Sequence, residues 1–497
     1  MRALLLLLLC VAMGIPAYGQ APGGAGDAVP SVLAEGDALR VAWEQAYANK
    51  DYARAAELLD RLCRGSAPTP VDRYNLACLL AKLGKKADAE RALRDALGAG
   101  FGDFDLLVQD PDLASLRQTP TYQAVLEGWA ELQDATIDGR LAALEKGKPG
   151  KHRISKLADL RIALVSATSA KGLAEAEVEL RRSAKLWSAW VGVDDGDAQK
   201  ARPPPWVLLW LPDERDFRSW SAQMFGPKAA NIGGLYTRDD LRLVARDTGP
   251  TLRHEYWHVL HHRDMSRRNQ QHALWVQEGL CSLIEDVDPG TPPANGGEPV
   301  ATPALSWRTN MARRMAESGT LAKLGDIMAM DPKRFMGSGS LGRYAQARAF
   351  FLYLHQQGKL PAWYAQYVHT YPQDPTGVHA TELVLGKPIA QVDRDFRLWL
   401  RSLPVVGEAG MEEVALPFDI DEGVGEGVVI LPLPLEKSLA LGVTAGDLIV
   451  AANGIPVRDR HDLAGLLRGK NSGDSITLTL RFRGRDRDRV FKVSAVR

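Results

Sequence analysis

His254, Glu255 and His258 stand in the run His254-Glu255-Tyr256-Trp257-His258, which reads H-E-x-x-H. Residues four apart on a helix lie one above the other. The two histidines therefore present imidazole nitrogens to one point, as a Zn2+ ion requires. Glu255 stands beside the first of them, where it can act as general base on a metal-activated water. Twenty residues past the second histidine comes Glu278, within Trp275-Val276-Gln277-Glu278-Gly279-Leu280. A carboxylate from a second helix completes a two-histidine, one-glutamate site and leaves a fourth position for water. The chemistry such a set performs is hydrolysis of a peptide bond. H-E-x-x-H alone arises by chance in roughly one per cent of chains of this length, so its surroundings decide its weight.

Those surroundings are helical and half-buried. Leu241-Arg242-Leu243-Val244-Ala245 reads as a short strand. Thr248-Gly249-Pro250 follows, offering Thr248 as a capping residue and Pro250 for the first helical turn. Leu252, Trp257, Val259 and Leu260 sit among the histidines as the apolar face of one helix. A second helical stretch from Ala273 to Glu285 carries Glu278, with Leu274, Leu280 and Leu283 for packing. Glu285, two turns past Glu278, is placed either to orient a ligand imidazole or simply in solvent. Cys281, one turn past Glu278, reads as a buried, inert thiol.

The residues His254, Glu255, His258, Glu278 and Gly279 resemble the gluzincin branch of the thermolysin-like zinc peptidases, also called peptidase MA. The resemblance implies His254, His258 and Glu278 as zinc ligands and Glu255 as catalytic base. It suggests Tyr344, in Arg343-Tyr344-Ala345-Gln346-Ala347, as the group that stabilises the oxyanion, the alternative being a packed core tyrosine. It also implies an edge strand before the active-site helix, within Ile232 to Arg246, to which substrate adds as one more strand. A metzincin-like pattern needs a glycine and a third ligand at the positions of His261 and Asp264. His261 lacks a glycine's freedom to turn there, so Glu278 stands ahead of Asp264. His261 and His262 continue the helix and read as solvated groups or as groups supporting the ligands.

The bounds are those of a multidomain globular protein. At 497 residues the chain holds two to four domains. A net charge of zero argues against nucleic acid or an anionic membrane as the main partner. Met1-Arg2, the apolar run Ala3 to Val11 and the small residues Ala17 and Gly19 read as a secretory signal peptide cut after Gly19. No later apolar run is long enough to span a bilayer. The expected location is secreted or periplasmic. Cys10 leaves with the signal, and the remaining Cys63, Cys78 and Cys281 are too few for a disulfide framework. Cys63 and Cys78 either pair or remain two separate thiols.

The flanking segments are of other kinds. Ala42 to Leu62 and Leu76 to Ala96 align with a shift of 34, matching Ala55 to Ala89 and Leu59 to Leu93. With Tyr74-Asn75-Leu76-Ala77-Cys78 this resembles tetratricopeptide repeats, which implies either a peptide groove or a structural cap. Near the other end, Ala445-Gly446-Asp447-Leu448-Ile449-Val450-Ala451-Ala452-Asn453-Gly454-Ile455-Pro456-Val457 resembles a PDZ domain. PDZ domains bind extended or C-terminal peptides by strand addition. Pro417, in the expected carboxylate-binding loop, lacks the amide donor such a loop uses.

The fold expected is multidomain α+β. It comprises N-terminal α-helical repeats, a zincin-like catalytic domain of helices around a small sheet, and a C-terminal β-rich PDZ-like domain. The boundaries are signal peptide 1–19, linker 20–36, tetratricopeptide-like repeats 37–135, gluzincin-like metallopeptidase domain 150–405 and PDZ-like domain 412–497. Helical stretches are expected near Leu157 to Val191, Trp307 to Gly319, Tyr344 to Gln357 and Val392 to Leu403. The function expected is zinc-dependent hydrolysis of a protein or peptide, with peptide or protein ligands for the flanking modules. The alternative is a non-catalytic scaffold or peptide-binding protein whose zinc site is structural or vestigial.

Overall fold

The computed structural model describes residues 29–65, 68–147, 150–192, 203–225, 232–238, 240–290, 299–410, 412–425 and 427–496. The expected signal peptide and most of the linker lie outside the described residues. The first helices run Val29–Ala48, Tyr52–Arg64, Pro70–Lys82 and Lys86–Gly98, each packed on the next. Ala55, Leu59, Ala89 and Leu93, the positions matched by the 34-residue shift, are all fully buried. Cys63 and Cys78 are both free thiols. The Cys78 sulfur instead bonds the Asp110 carboxylate at 3.3 Å, which also accepts from the Tyr74 hydroxyl at 2.9 Å.

The centre is a five-stranded sheet of β1 (Arg153–Leu157), β2 (Ile162–Ser166), β3 (Val207–Leu211), β4 (Gly234–Thr237) and β5 (Arg242–Ala245). Its order is β1-β2-β3-β5-β4, with β2, β3 and β5 parallel and both edge strands antiparallel. This corrects the helical expectation over Leu157 to Val191. Ile162-Ala163-Leu164-Val165-Ser166 is a strand buried on both faces, and only Ala170–Val191 is helix. A short continuous apolar run fits either state, and parallel pairing selects the strand.

The helix carrying both histidines, Pro250–Arg268, follows β5 directly. Thr248 does not cap it. Asp247 accepts from the backbone N–H groups of Gly249 and Thr251 at 2.8 and 3.1 Å, while Thr248 donates its own N–H to Gly425. The helix Leu274–Leu283 carries Glu278. The short strands β6 (Val287–Asp288) and β7 (Thr302–Pro303) pair next. The helices Trp307–Ser318, Ser340–Gln356, Leu360–Thr370 and Ile389–Ser402 pack with Trp257, Trp275 and Leu280 into the largest core.

The C-terminal module is β-rich, with strands β8 (Val414–Ala415), β9 (Ile420–Glu422), β10 (Val428–Ile430), β11 (Leu448–Ala452), β12 (Ile455–Pro456), β13 (Ser475–Phe482), β14 (Arg485–Lys492) and β15 (Ser494–Ala495). The main sheet runs β14-β13-β11-β10-β9, with β12 on β11 and a separate β8–β15 pair. Asn453 and Gly454 both take positive φ at the β11–β12 hairpin, as an Asn-Gly turn requires. The charged run Arg481 to Arg489 lies in the β13–β14 hairpin, where Arg481 is buried on Asp486 and Glu175. No helix among the described residues is long and apolar enough to cross a membrane.

Candidate metal centre

The two helices bring His254, His258 and Glu278 to one point, where one ligand atom from each lies within 4.8 Å of the others. The two Nε2 atoms stand 3.1 Å apart, and each is 3.5 Å from Glu278 Oε2. Ligand atoms about 2.0–2.1 Å from a single tetrahedral ion stand roughly 3.4 Å from one another, so this triangle has the dimensions a zinc ion needs. Glu278 Oε2 is buried and has no hydrogen-bond partner. A buried carboxylate oxygen left unpaired is costly unless a cation meets it. Two imidazoles and a carboxylate are donors suited to Zn2+. The residues present therefore fit the metal. The three side chains keep only 11–18% of their surface, so the cluster is largely shielded from solvent.

The electrostatics describe the same demand. Burial pushes the Glu278 carboxyl up, but His258 and His254 outweigh it and hold it well below its usual range. Burial likewise opposes charge on His254, yet Glu278 and Glu285 raise it to about 10. Two carboxylates thus pull positive charge into the cluster. Glu285 Oε1 lies 2.8 Å from His254 Nδ1, so the solvated alternative for Glu285 does not hold. An ionised carboxylate only accepts, so Nδ1 carries a proton toward Glu285, and Nε2 is the nitrogen that faces the centre.

Glu255 is buried next to the cluster, and burial is the main cause of its raised pKa. The Tyr236 backbone N–H, on β4, donates to its carboxylate. β4 is an edge strand, paired only with β5 among the described residues. A Cβ on Gly234 would fall 2.9 Å from Glu255 Cγ and 2.9 Å from Thr251 Cγ2, so glycine alone lets this strand run so close to the helix. The Tyr344 hydroxyl bonds the Met336 sulfur at 3.4 Å and interacts with the Glu278 carboxylate. Burial, then Glu278, raises its pKa well above the ordinary value.

Other candidates fall elsewhere. Asp264 is buried and committed to Tyr364 at 2.6 Å and Arg268 at 2.9 Å, which removes it as a ligand. His261 and His262 are buried, not solvated, and His261 Nε2 lies 2.7 Å from His272 Nδ1. Cys281 is fully buried, with a thiol pushed up by burial. Sequence reasoning missed Arg308, which binds both oxygens of Glu285, and Asp247, which starts the histidine helix. The Gly233-Gly234 pair was the available sign of a backbone pressed against the site.

Residues 439–481 match the PDZ domain family. The chain carries a PDZ domain at its C-terminal end. A stretch of 87 residues is 36% identical to a chloroplastic protein of Arabidopsis thaliana. That stretch is 17% of this chain and spans 26% of that protein, about a quarter of its length. Among solved structures, an aminopeptidase N family protein from Idiomarina loihiensis is 12% identical, covering 70% of this chain and 67% of its own at a TM-score of 0.28.

Proposed function

We propose that the chain is a zinc-dependent peptidase of gluzincin type. The observation that carries this is the convergence of His254, His258 and Glu278 on one point, with Glu278 Oε2 buried there without a hydrogen bond and Glu255 beside it. A zinc ion held there supplies a Lewis acid and lowers the pKa of a water. The protein's own residues do the remainder. Glu255, with a pKa raised by burial, takes a proton from the attacking water and passes it to the leaving amine. Tyr344 donates to the developing oxyanion. The substrate backbone lies along β4, antiparallel or parallel, as one more strand. The PDZ domain and the N-terminal helix pairs receive protein or peptide ligands. The proposed setting is secreted or periplasmic, a reading supported by the apolar run Ala3 to Val11, and N-terminal sequencing of exported protein tests it by a start after Gly19.

The direct test of the chemistry is Glu255→Gln in the full chain, assayed on an unfolded protein and a peptide library. The expected result is retained zinc and hydrolysis reduced by about 10²–10⁴-fold. Undiminished hydrolysis refutes the role of Glu255. Zinc in the wild type without hydrolysis of any substrate favours the scaffold reading.

A further inference from the structure

The helix Trp307–Ser318 reaches Glu285 beside the metal centre at one side and His461 of the PDZ domain at the other. Arg308 sends Nε and Nη2 to the two oxygens of Glu285, at 2.5 and 2.9 Å. Glu285 in turn meets His254 Nδ1. This is a two-step chain from a buried guanidinium to a ligand imidazole. The remaining nitrogen, Nη1, is buried without a hydrogen-bond partner. The guanidinium is steadied instead by ring faces, 4.5 Å from the centre of Trp307 and 5.8 Å from that of Tyr344.

Trp307 is also where the PDZ domain rests. Its ring stacks on His461 with centroids 5.1 Å apart and planes 14° apart. His461 opens the PDZ helix Arg460–Leu467. The same helix pair clamps the segment joining the two domains. Asn310 holds both backbone groups of Val406, donating to its carbonyl at 3.0 Å and accepting from its N–H at 3.1 Å. Arg314 grips Glu408 twice, at 2.8 and 3.0 Å. From the other side His461 Nδ1 accepts from the Ala409 N–H at 3.1 Å, and Gly407 lies so close to Gly465 that a Cβ there would collide.

We infer that Arg308 is a positioning residue for His254, acting through Glu285, and that the PDZ domain holds Arg308 in place through the His461–Trp307 stack. The inference rests on the zinc reading proposed for this site. Physically, a buried Glu285 stripped of its guanidinium is an unpaired charge, and it no longer fixes the imidazole's orientation. Displacement of His461 frees Trp307, the face against which Arg308 lies. Occupation or movement of the PDZ domain thereby reaches a metal ligand without touching it.

The test measures the zinc dissociation constant of the full chain by competition with a chelator, for wild type, Arg308→Met, Arg308→Lys and His461→Ala. Visible spectra of the cobalt-loaded proteins accompany it. Arg308→Met is expected to weaken zinc by about 10–100-fold and to shift the cobalt bands. Lysine keeps the charge but not the two-pronged geometry, so it should restore part of both. His461→Ala should weaken zinc several-fold in the same direction. Zinc affinity and cobalt bands unchanged in Arg308→Met overturn the positioning role. Unchanged affinity in His461→Ala overturns the PDZ link. A wild-type chain that binds no zinc fails the peptidase reading itself, a result distinct from both.

Discussion

One helix carries His258 and His261 less than a turn apart, and the two serve opposite ends. His258 looks toward Glu278 and His254, with part of its edge accessible. His261 is fully buried on the back of the helix, against His272, Trp187 and Tyr364. Carboxylates beside the first site, Glu278 and Glu285, favour the charged form of His254 against its burial. Aromatic rings around the second pair exclude positive charge, and burial holds His261 well below its ordinary pKa and His272 down to about 3. The same side chain is thus a metal donor on one face and a neutral core residue on the other. What decides is the company it keeps, not the residue type.

The contrast between the two faces is tested most severely by His258→Ala. Removing a donor should cost more than the roughly 10–100-fold loss in metal affinity typical of a supporting residue, read by metal analysis after dialysis. Loss of zinc from His261→Phe to the same degree would erase the distinction between the faces. Tyr344→Phe comes next. Removal of one oxyanion donor lowers kcat by about 10²–10³-fold with zinc retained, and an unchanged kcat would return Tyr344 to a packing role.

The third effect is a pH dependence. His261 and His272 are neutral in the fold, whereas an unfolded histidine titrates near 6.5. Below that pH the unfolded chain takes up protons that the folded pair refuses. Stability therefore falls as pH drops from about 6.5 toward 3, by up to ~1.4 kcal/mol per pH unit for each histidine. Denaturant unfolding across that range should show a shallower slope in His272→Phe than in the wild type. Equal slopes would mean that the pair does not govern the acid limb.

How far the sequence discloses these arrangements follows from distance along the chain. His254, Glu255 and His258 are tied by helical geometry, so their spacing alone orders them. Glu278 was legible from its place on a second helical stretch, whereas spacing left Glu285 open between supporting a ligand and lying in solvent, and only the contact with His254 decides it. Arg308 comes 23 residues after Glu285, beyond a loop, and no periodicity announces that contact. The pairing of His261 with His272 was hidden for the same reason, since it needs the turn after Arg268 and the tyrosines of Leu360–Thr370. β2 was misread because a buried parallel strand and a buried helix segment share an unbroken apolar run. The PDZ domain was readable from a local hairpin signature. Its docking was not, because contacts such as Trp307 with His461 and Glu175 with Arg481 join residues more than a hundred positions apart, and the bridge from Gly425 to Asp247 is made by backbone.

The metallopeptidase reading stands or falls on Glu278 joining the two histidines in holding zinc. Metal analysis of the purified chain beside Glu278→Ala is the decisive experiment. About one zinc per wild-type chain is expected, with near-complete loss in the variant. No zinc in the wild type, or zinc that Glu278→Ala leaves in place, would contradict the reading.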